Sequence, residues 1–204
     1  RAELAKRVQE YGEAAAYELG IVDFPKEVLQ VLGRLHFRTS YGQNVLNHSI
    51  EMAHVAGMLA TELGLRADIA KKGALVHDIG KAIDHEVQGT HVDIGRKILK
   101  KYGVDEDVIR AMEAHHDEYP HAIPEAFIVT TADAISGARP GARRDSLEHY
   151  FKRFIVLPVK RVRIWEMAIS LSLCRRSDCV RPWRIRTALR LSRFVRTTNC
   201  SRGA

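Results

Sequence analysis

The chain of 204 residues suits one compact domain, or one domain with a tail. Hydrophobic residues make up 46% and charged residues 28%, as in ordinary soluble proteins, and no apolar run reaches the roughly 18 residues of a membrane span. The formal charge of +7 points towards nucleic acid, but it all comes from residues 152–204, where twelve Arg and two Lys face only Glu166 and Asp178; the first 151 residues hold 18 basic and 23 acidic side chains.

Residues 1–20 read as a helix, with Leu4, Val8, Tyr11, Ala15 and Leu19 three or four apart and Gly20 as a stop. Asp23 and Pro25 pattern as the N-cap and early turn of a helix through Val28, Leu32 and Leu35. A break at Thr39 to Gly42 precedes a long helix from about Asn44 to Leu63, ended by Gly64. Residues 66–77 form a helix rich in Ala and Leu that runs into His77-Asp78. Helices over 91–102 and 105–116 follow, parted by Gly103, with Asp105 capping the second. Pro124 opens a helix over 124–137, and another is expected over 143–153. No period-2 strand stands out, so short connections between helices predict an all-α bundle.

The expected organisation is 1–37 for the N-terminal helices, 38–153 for the domain that holds the chemistry, and 154–204 for an Arg-rich tail. Cys174, Cys179 and Cys200 all lie in that tail, as do Trp165 and Trp183. Their odd number and spacing suit neither a disulfide framework nor a zinc site. The cysteine-free body fits a reducing, cytoplasmic compartment. The chain opens on Arg1 rather than Met, as a fragment of a longer protein would. The composition break near Arg153 fits an out-of-frame or misassembled reading, a basic RNA-binding extension or an unrelated tail.

All ten histidines lie in the body. Adjacent His77 and Asp78 at a helix end can share one cation, and mixed nitrogen and oxygen ligation suits Mn, Fe or Zn better than Ca. Gly80 would allow a sharp turn after the pair, and Lys81 would put a cation where phosphoryl charge develops. Asp133 falls in the apolar run Phe127–Ser136, where an unpaired charge is costly and metal ligation removes the cost. His48 is a candidate ligand on the preceding long helix, with His54 its competitor on another face. His91 and the pair His115-His116 raise the donor number to what two ions need, and a two-metal site holds both oxygens of an in-line phosphate displacement. Asp84 and His85 lie close in sequence, without an assigned role.

The pattern of His48, His77-Asp78 and Asp133 resembles that of the HD superfamily of phosphohydrolases, and His91, His115 and His116 resemble the added ligands of its binuclear members. Longer runs are similar to the HD domain of the ribonuclease Y family: Arg38 to Asn44, His77 to Ala82, Asp84 to Glu86, and Ala134 to Arg144. Over about residues 1–153 this resemblance implies an all-α HD fold and one or two divalent ions (Mn, Mg, Zn or Fe) on His48, His77, Asp78, His91, His115, His116 and Asp133. It implies cleavage of single-stranded RNA in messenger-RNA turnover, and a homodimer through the HD domain. Asp78 and Lys81 would be catalytic. Arg139, Arg143 and Arg144, in a Pro-Gly loop, would grip flanking phosphates. The family also carries a membrane helix, a coiled coil and a K-homology RNA-binding domain, none recognisable in this sequence; full-length members are anchored at the inner face of the bacterial membrane. The competing readings are a phosphohydrolase of small or cyclic nucleotides and a non-catalytic self-association module.

Overall fold

A computed structural model describes residues 1–138. Seven helices are present there: α1 (Ala2–Glu18), α2 (Lys26–Arg34), α3 (Val45–Glu62), α4 (Ala67–Val76), α5 (His91–Lys101), α6 (Glu106–Glu113) and α7 (Pro124–Ala138). Short 3₁₀ turns span Leu35–Phe37 and Ile79–Ala82. The expected helix over 143–153 and the tail over 154–204 lie outside the described residues. No described helix is long and apolar enough to cross a membrane.

The helices form one bundle. α3 packs against α4 and α7, α4 also against α6 and α7, and α5 against α6 and the turn over 79–82. Met52, Leu75, Ile79, Leu99, Ile109, Met112 and Ile128 are fully buried where these helices meet. The all-α expectation holds, with one addition at Thr39 to Asn44. Two short strands, β1 (Thr39–Ser40) and β2 (Gln43–Asn44), pair antiparallel with Thr39 opposite Asn44. Tyr41 and Gly42 close the hairpin with φ of 52° and 82°. Positive φ at both central residues is the twist that suits a two-residue hairpin turn. Two residues per strand are too few for alternation to show, which is why the sequence reads only as a break.

Side chains fix the helix ends. Asn44 caps α3 by accepting from the Asn47 backbone N–H at 3.0 Å, and its amide donates to the His36 carbonyl at 2.7 Å. Thr90 and Asp105 cap α5 and α6 in the same way. α4 has no cap of its own at Arg66. Instead the buried Glu125 of α7 accepts from the Arg66 backbone N–H at 3.2 Å and from its guanidinium at 3.0 and 3.2 Å. Asp23 does not cap α2, whose N-cap is Pro25. Its carboxylate accepts from Lys72 of α4, which holds it below the usual carboxylate range.

Gly80 serves close packing, since no positive φ occurs there to make the expected sharp turn. A Cβ at Gly80 would stand 1.9 Å from the His91 carbonyl oxygen and 3.0 Å from the Gly95 nitrogen. Only a residue without a side chain lets the turn after Asp78 lie against the start of α5. Gly80→Ala must push α5 away, because backbone cannot yield as a side-chain tip can. It is expected to destabilise the fold by about 3 kcal/mol, the upper end for overpacking, and to lower bound metal by displacing His91. Urea unfolding and metal analysis of the purified variant check both effects.

Candidate metal centre

Five helices, the hairpin and the turn over 79–82 bring their ends or faces to one cavity of about 380 Å³, lined by Ser40, Tyr41, Gln43, Val45, Lys81 and the seven predicted ligands. His48 comes from α3 and Asp133 from α7, which pack side by side. His77 is the C-cap residue of α4, and Asp78 follows it. His91 is the first residue of α5. α6 ends at Glu113 rather than at 116, which frees His115 and His116 to turn into the cavity.

The donor atoms fall into two groups, each within 4.8 Å: His48, His77 and Asp133 in one, His91, His115 and His116 in the other. Asp78 stands between them. Its Oδ2 is 3.2 Å from His77 Nε2 and accepts from Lys81 Nζ at 2.8 Å. Its Oδ1 is 3.5 Å from His91 Nε2 and 4.0 Å from His115 Nε2. In the first group, His48 Nε2 lies 3.3 Å from Asp133 Oδ1.

Backbone carbonyls aim two of the rings. His77 Nδ1 donates to the Ala74 carbonyl at 2.8 Å, and His115 Nδ1 donates to the Met112 carbonyl at 2.6 Å. A proton fixed on Nδ1 leaves Nε2 as the lone pair facing the cavity. His48 Nδ1 shares a 3.0 Å hydrogen bond with the Ser136 hydroxyl, which can serve either tautomer.

The electrostatics of the two groups differ. Burial alone lowers the His77 pKa, but the Asp78 carboxylate beside it reverses the direction and raises it. Burial pushes the Asp78 carboxyl up, and His77 and Lys81 together bring it well below its ordinary value. Asp133 is likewise lowered against burial, by His48 and then His77. In the second group burial is the leading cause throughout and lowers His91 and His116, while His115 falls to about 3. Carboxylates therefore favour the protonated form at His77 in the first group, and burial favours neutral imidazoles in the second.

Among the described residues, Asp78 Oδ1, His91 Nε2 and His115 Nε2 are buried polar atoms without a hydrogen-bond partner. Each such atom costs about 1–3 kcal/mol when left unsatisfied. All three converge on one point, where a single cation would take their lone pairs together. A donor set of imidazoles and carboxylates is the chemistry of a divalent transition-metal site.

Other candidates lie elsewhere. His54 is exposed and 3.4 Å from Glu18. His85 is exposed beside Asp84 and Glu86. Asp84 accepts from Arg38 at 2.6 Å and so ties its loop to the residue just before β1. Arg139, Arg143 and Arg144 lie outside the described residues. Sequence reasoning missed Ser136, although it follows Asp133 by three residues and so shares its helix face. It also missed Tyr41 and Gln43 on the hairpin.

Ser136→Ala removes the one side chain that orients His48 from behind. Its expected effect is a metal affinity lowered about tenfold, the lower end for loss of a ligand's supporting partner, with a melting temperature in chelator lowered by several degrees, since the buried His48 Nδ1 loses its partner at a cost of about 1–3 kcal/mol. Competition against a fluorescent chelator measures the first and a thermal melt the second.

The family model described as "HD domain" matches residues 45–138. Over 157 residues the chain is 54% identical to ribonuclease Y of Fervidobacterium nodosum, covering 77% of this chain and 30% of that protein. It is 56% identical over 151 residues to ribonuclease Y of Symbiobacterium thermophilum, covering 74% and 29%. To ribonuclease Y of Alkaliphilus metalliredigens it is 53% identical over 151 residues, covering 74% and 32%. The chain thus spans about a third of the length of the curated relatives it matches. No solved structure matches it significantly. Residues 45–138, which hold the His and Asp groups in one cavity of a helical bundle, thus match the HD-domain model, and the chain is similar over some 150 residues to proteins named ribonuclease Y.

Proposed function

We propose that the cavity cleaves phosphodiester bonds of single-stranded RNA, as a metal-dependent endoribonuclease acting in messenger-RNA turnover. The observation that carries the reading is the convergence of three unsatisfied buried ligand atoms, Asp78 Oδ1, His91 Nε2 and His115 Nε2, at the second histidine group, beside the first. The identity of more than half over some 150 residues to proteins named ribonuclease Y favours RNA over a small or cyclic nucleotide.

In this reading His48, His77 and Asp133 would hold one divalent ion and His91, His115 and His116 a second, and Asp78, which stands between the two groups, would add its carboxylate. Manganese, magnesium, zinc and iron are the candidate metals; the four buried or half-buried imidazoles favour a transition metal over magnesium. When bound, the metal supplies Lewis acidity to the phosphoryl group and to the attacking water. Asp78 is kept ionised by His77 and Lys81 together, and that charge lets it orient partners on both sides. Lys81 spends one N–H on Asp78 and has two left for oxygens of the reacting phosphate. His91, His115 and His116, held neutral by burial, keep their lone pairs available at neutral pH. Arg139, Arg143 and Arg144 would hold flanking phosphates. Self-association through this domain and a cytoplasmic site of action belong to the same reading and rest on the family resemblance.

The full chain with Mn²⁺ is expected to cut an unstructured oligoribonucleotide internally. Chelation should abolish the cut and returned metal restore it. Asp78→Ala should lose bound metal and slow cleavage by roughly 10²- to 10³-fold, the cost of several kcal/mol of lost charge stabilisation. Metal-loaded wild-type chain without RNA cleavage would overturn the reading.

A further inference from the structure

We propose that Asp93, Arg96 and Tyr119 are positioning residues that build the second of the two metal groups. They clasp the segment carrying His115 and His116 to the helix carrying His91, and so set the affinity of that group alone. The inference rests on the two-ion reading above and adds to it the side chains that make the second ion site.

The two groups are held in different ways. His48 and Asp133 stand inside α3 and α7, which pack along each other, and His77 closes α4, which packs on both. Close packing of helices over a buried core places that group. His91 is instead the first residue of α5, and His115 and His116 follow the end of α6. Helix ends fray unless something holds them. Hydrogen bonds aim the rings of His48, His77 and His115, but among the described residues none aims the ring of His91 or His116. Their places depend on the backbone to either side of them.

That backbone is fastened at each flank. Two residues before His115, Glu113 is 7% exposed, and its Oε2 lies 2.9 Å from Arg96 Nε of α5. A carboxylate so buried needs a charged partner. Two residues after His116, Glu118 accepts from the hydroxyl of Thr90 at 2.9 Å, and Thr90 directly precedes His91. The next residue, Tyr119, donates its hydroxyl to Asp93, two residues after His91. The Arg96 guanidinium lies over the Tyr119 ring, 4.9 Å from its centre, so the two ends of the clasp touch each other. Residues 113–119 are thus tied to residues 90–96 on both sides of the histidines that each segment carries.

Asp93, Arg96, Glu113 and Tyr119 do not line the cavity, so they act through the histidines and not on a substrate. Their contacts also leave out α3, α4 and α7, which carry the first group. Loosening the clasp should therefore open the second ion site and spare the first.

The test is a Mn²⁺ titration of the full chain, read by competition against a fluorescent chelator and by metal content after desalting. Wild type should hold two ions. Tyr119→Ala removes both the bond to Asp93 and the face under Arg96. It should weaken one ion roughly 10- to 100-fold, the range for loss of a ligand's supporting partner, and leave the other as it was. Tyr119→Phe keeps the ring and loses only the bond to Asp93, so its loss should be smaller; should Tyr119→Ala fail to fold, Tyr119→Phe carries the same comparison. Two backgrounds assign the weakened ion. Beside His91→Ala, Tyr119→Ala should cost nothing further, and beside His48→Ala it should cost the remaining ion the full factor. Equal loss at both ions would make the clasp a general support of the fold and overturn the inference. Unchanged binding by the Tyr119 variants, or a full effect beside His91→Ala, would overturn it too. A wild type that cuts RNA while holding one ion would sink the clasp and leave the cleavage reading standing. Two ions and a selective loss in Tyr119→Ala, in a chain that leaves RNA intact, would keep the clasp and overturn the cleavage reading.

Discussion

A carboxylate that is 3% exposed cannot stay charged without partners, and Asp78 draws them from four directions. Lys81 and His77 approach one oxygen, His91 and His115 the other. Meeting that demand sets where the helices stop. α4 ends at Val76, α6 at Glu113, and α5 begins at His91, so three helix termini surround one buried charge. Extending α6 through His116 would rotate that ring away from the cavity. The glycine at position 80 belongs to the same constraint, since it lets α5 come near enough for His91 to reach Asp78.

The same local device occurs twice. At the ends of α4 and α6 a histidine donates Nδ1–H to the carbonyl three residues before it, Ala74 in one case and Met112 in the other. The backbone N–H groups of those histidines reach the same carbonyls only at 3.5 and 3.4 Å. Carbonyls in the last turn of a helix lack their usual partners, so the imidazole satisfies one of them while the carbonyl fixes the ring. The negative end of the helix dipole also favours positive charge there. Two helix C-termini pointing at the cavity thus prepare it for a cation before any ligand atom is counted.

The chemistry was legible because it depends on residue type. His77-Asp78, the isolated acid Asp133 in an apolar helix, and His115-His116 are each anomalous against their surroundings, and the fold brings them together with His48 and His91. Helix existence was equally legible, through apolar spacing and the cap at Asp105. What could not be read depended on tertiary partners. Asp23 has the composition of a cap, yet Lys72 of α4 claims it. Gly80 has the composition of a turn, yet its use is the approach of α5. The hairpin at 39–44 is too short for periodicity, and Ser136 matters only because α7 lies along α3.

A site with five histidines and two carboxylates in one cavity works against folding when no cation is present. The lone pairs of Asp78 Oδ1, His91 Nε2 and His115 Nε2 face each other without a donor between them. The surrounding apolar core, from Met52 on α3 to Ile128 on α7, must hold that arrangement together. Metal binding relieves it, because metal bound to the folded chain alone stabilises that state by mass action. In the first group the Asp78 carboxylate raises the His77 pKa, so a metal there competes with a proton held more tightly than on a free imidazole. In the second, His115 near 3 has no such proton to lose at neutral pH. Binding at the two groups therefore differs in proton release, through one shared carboxylate whose charge both groups need.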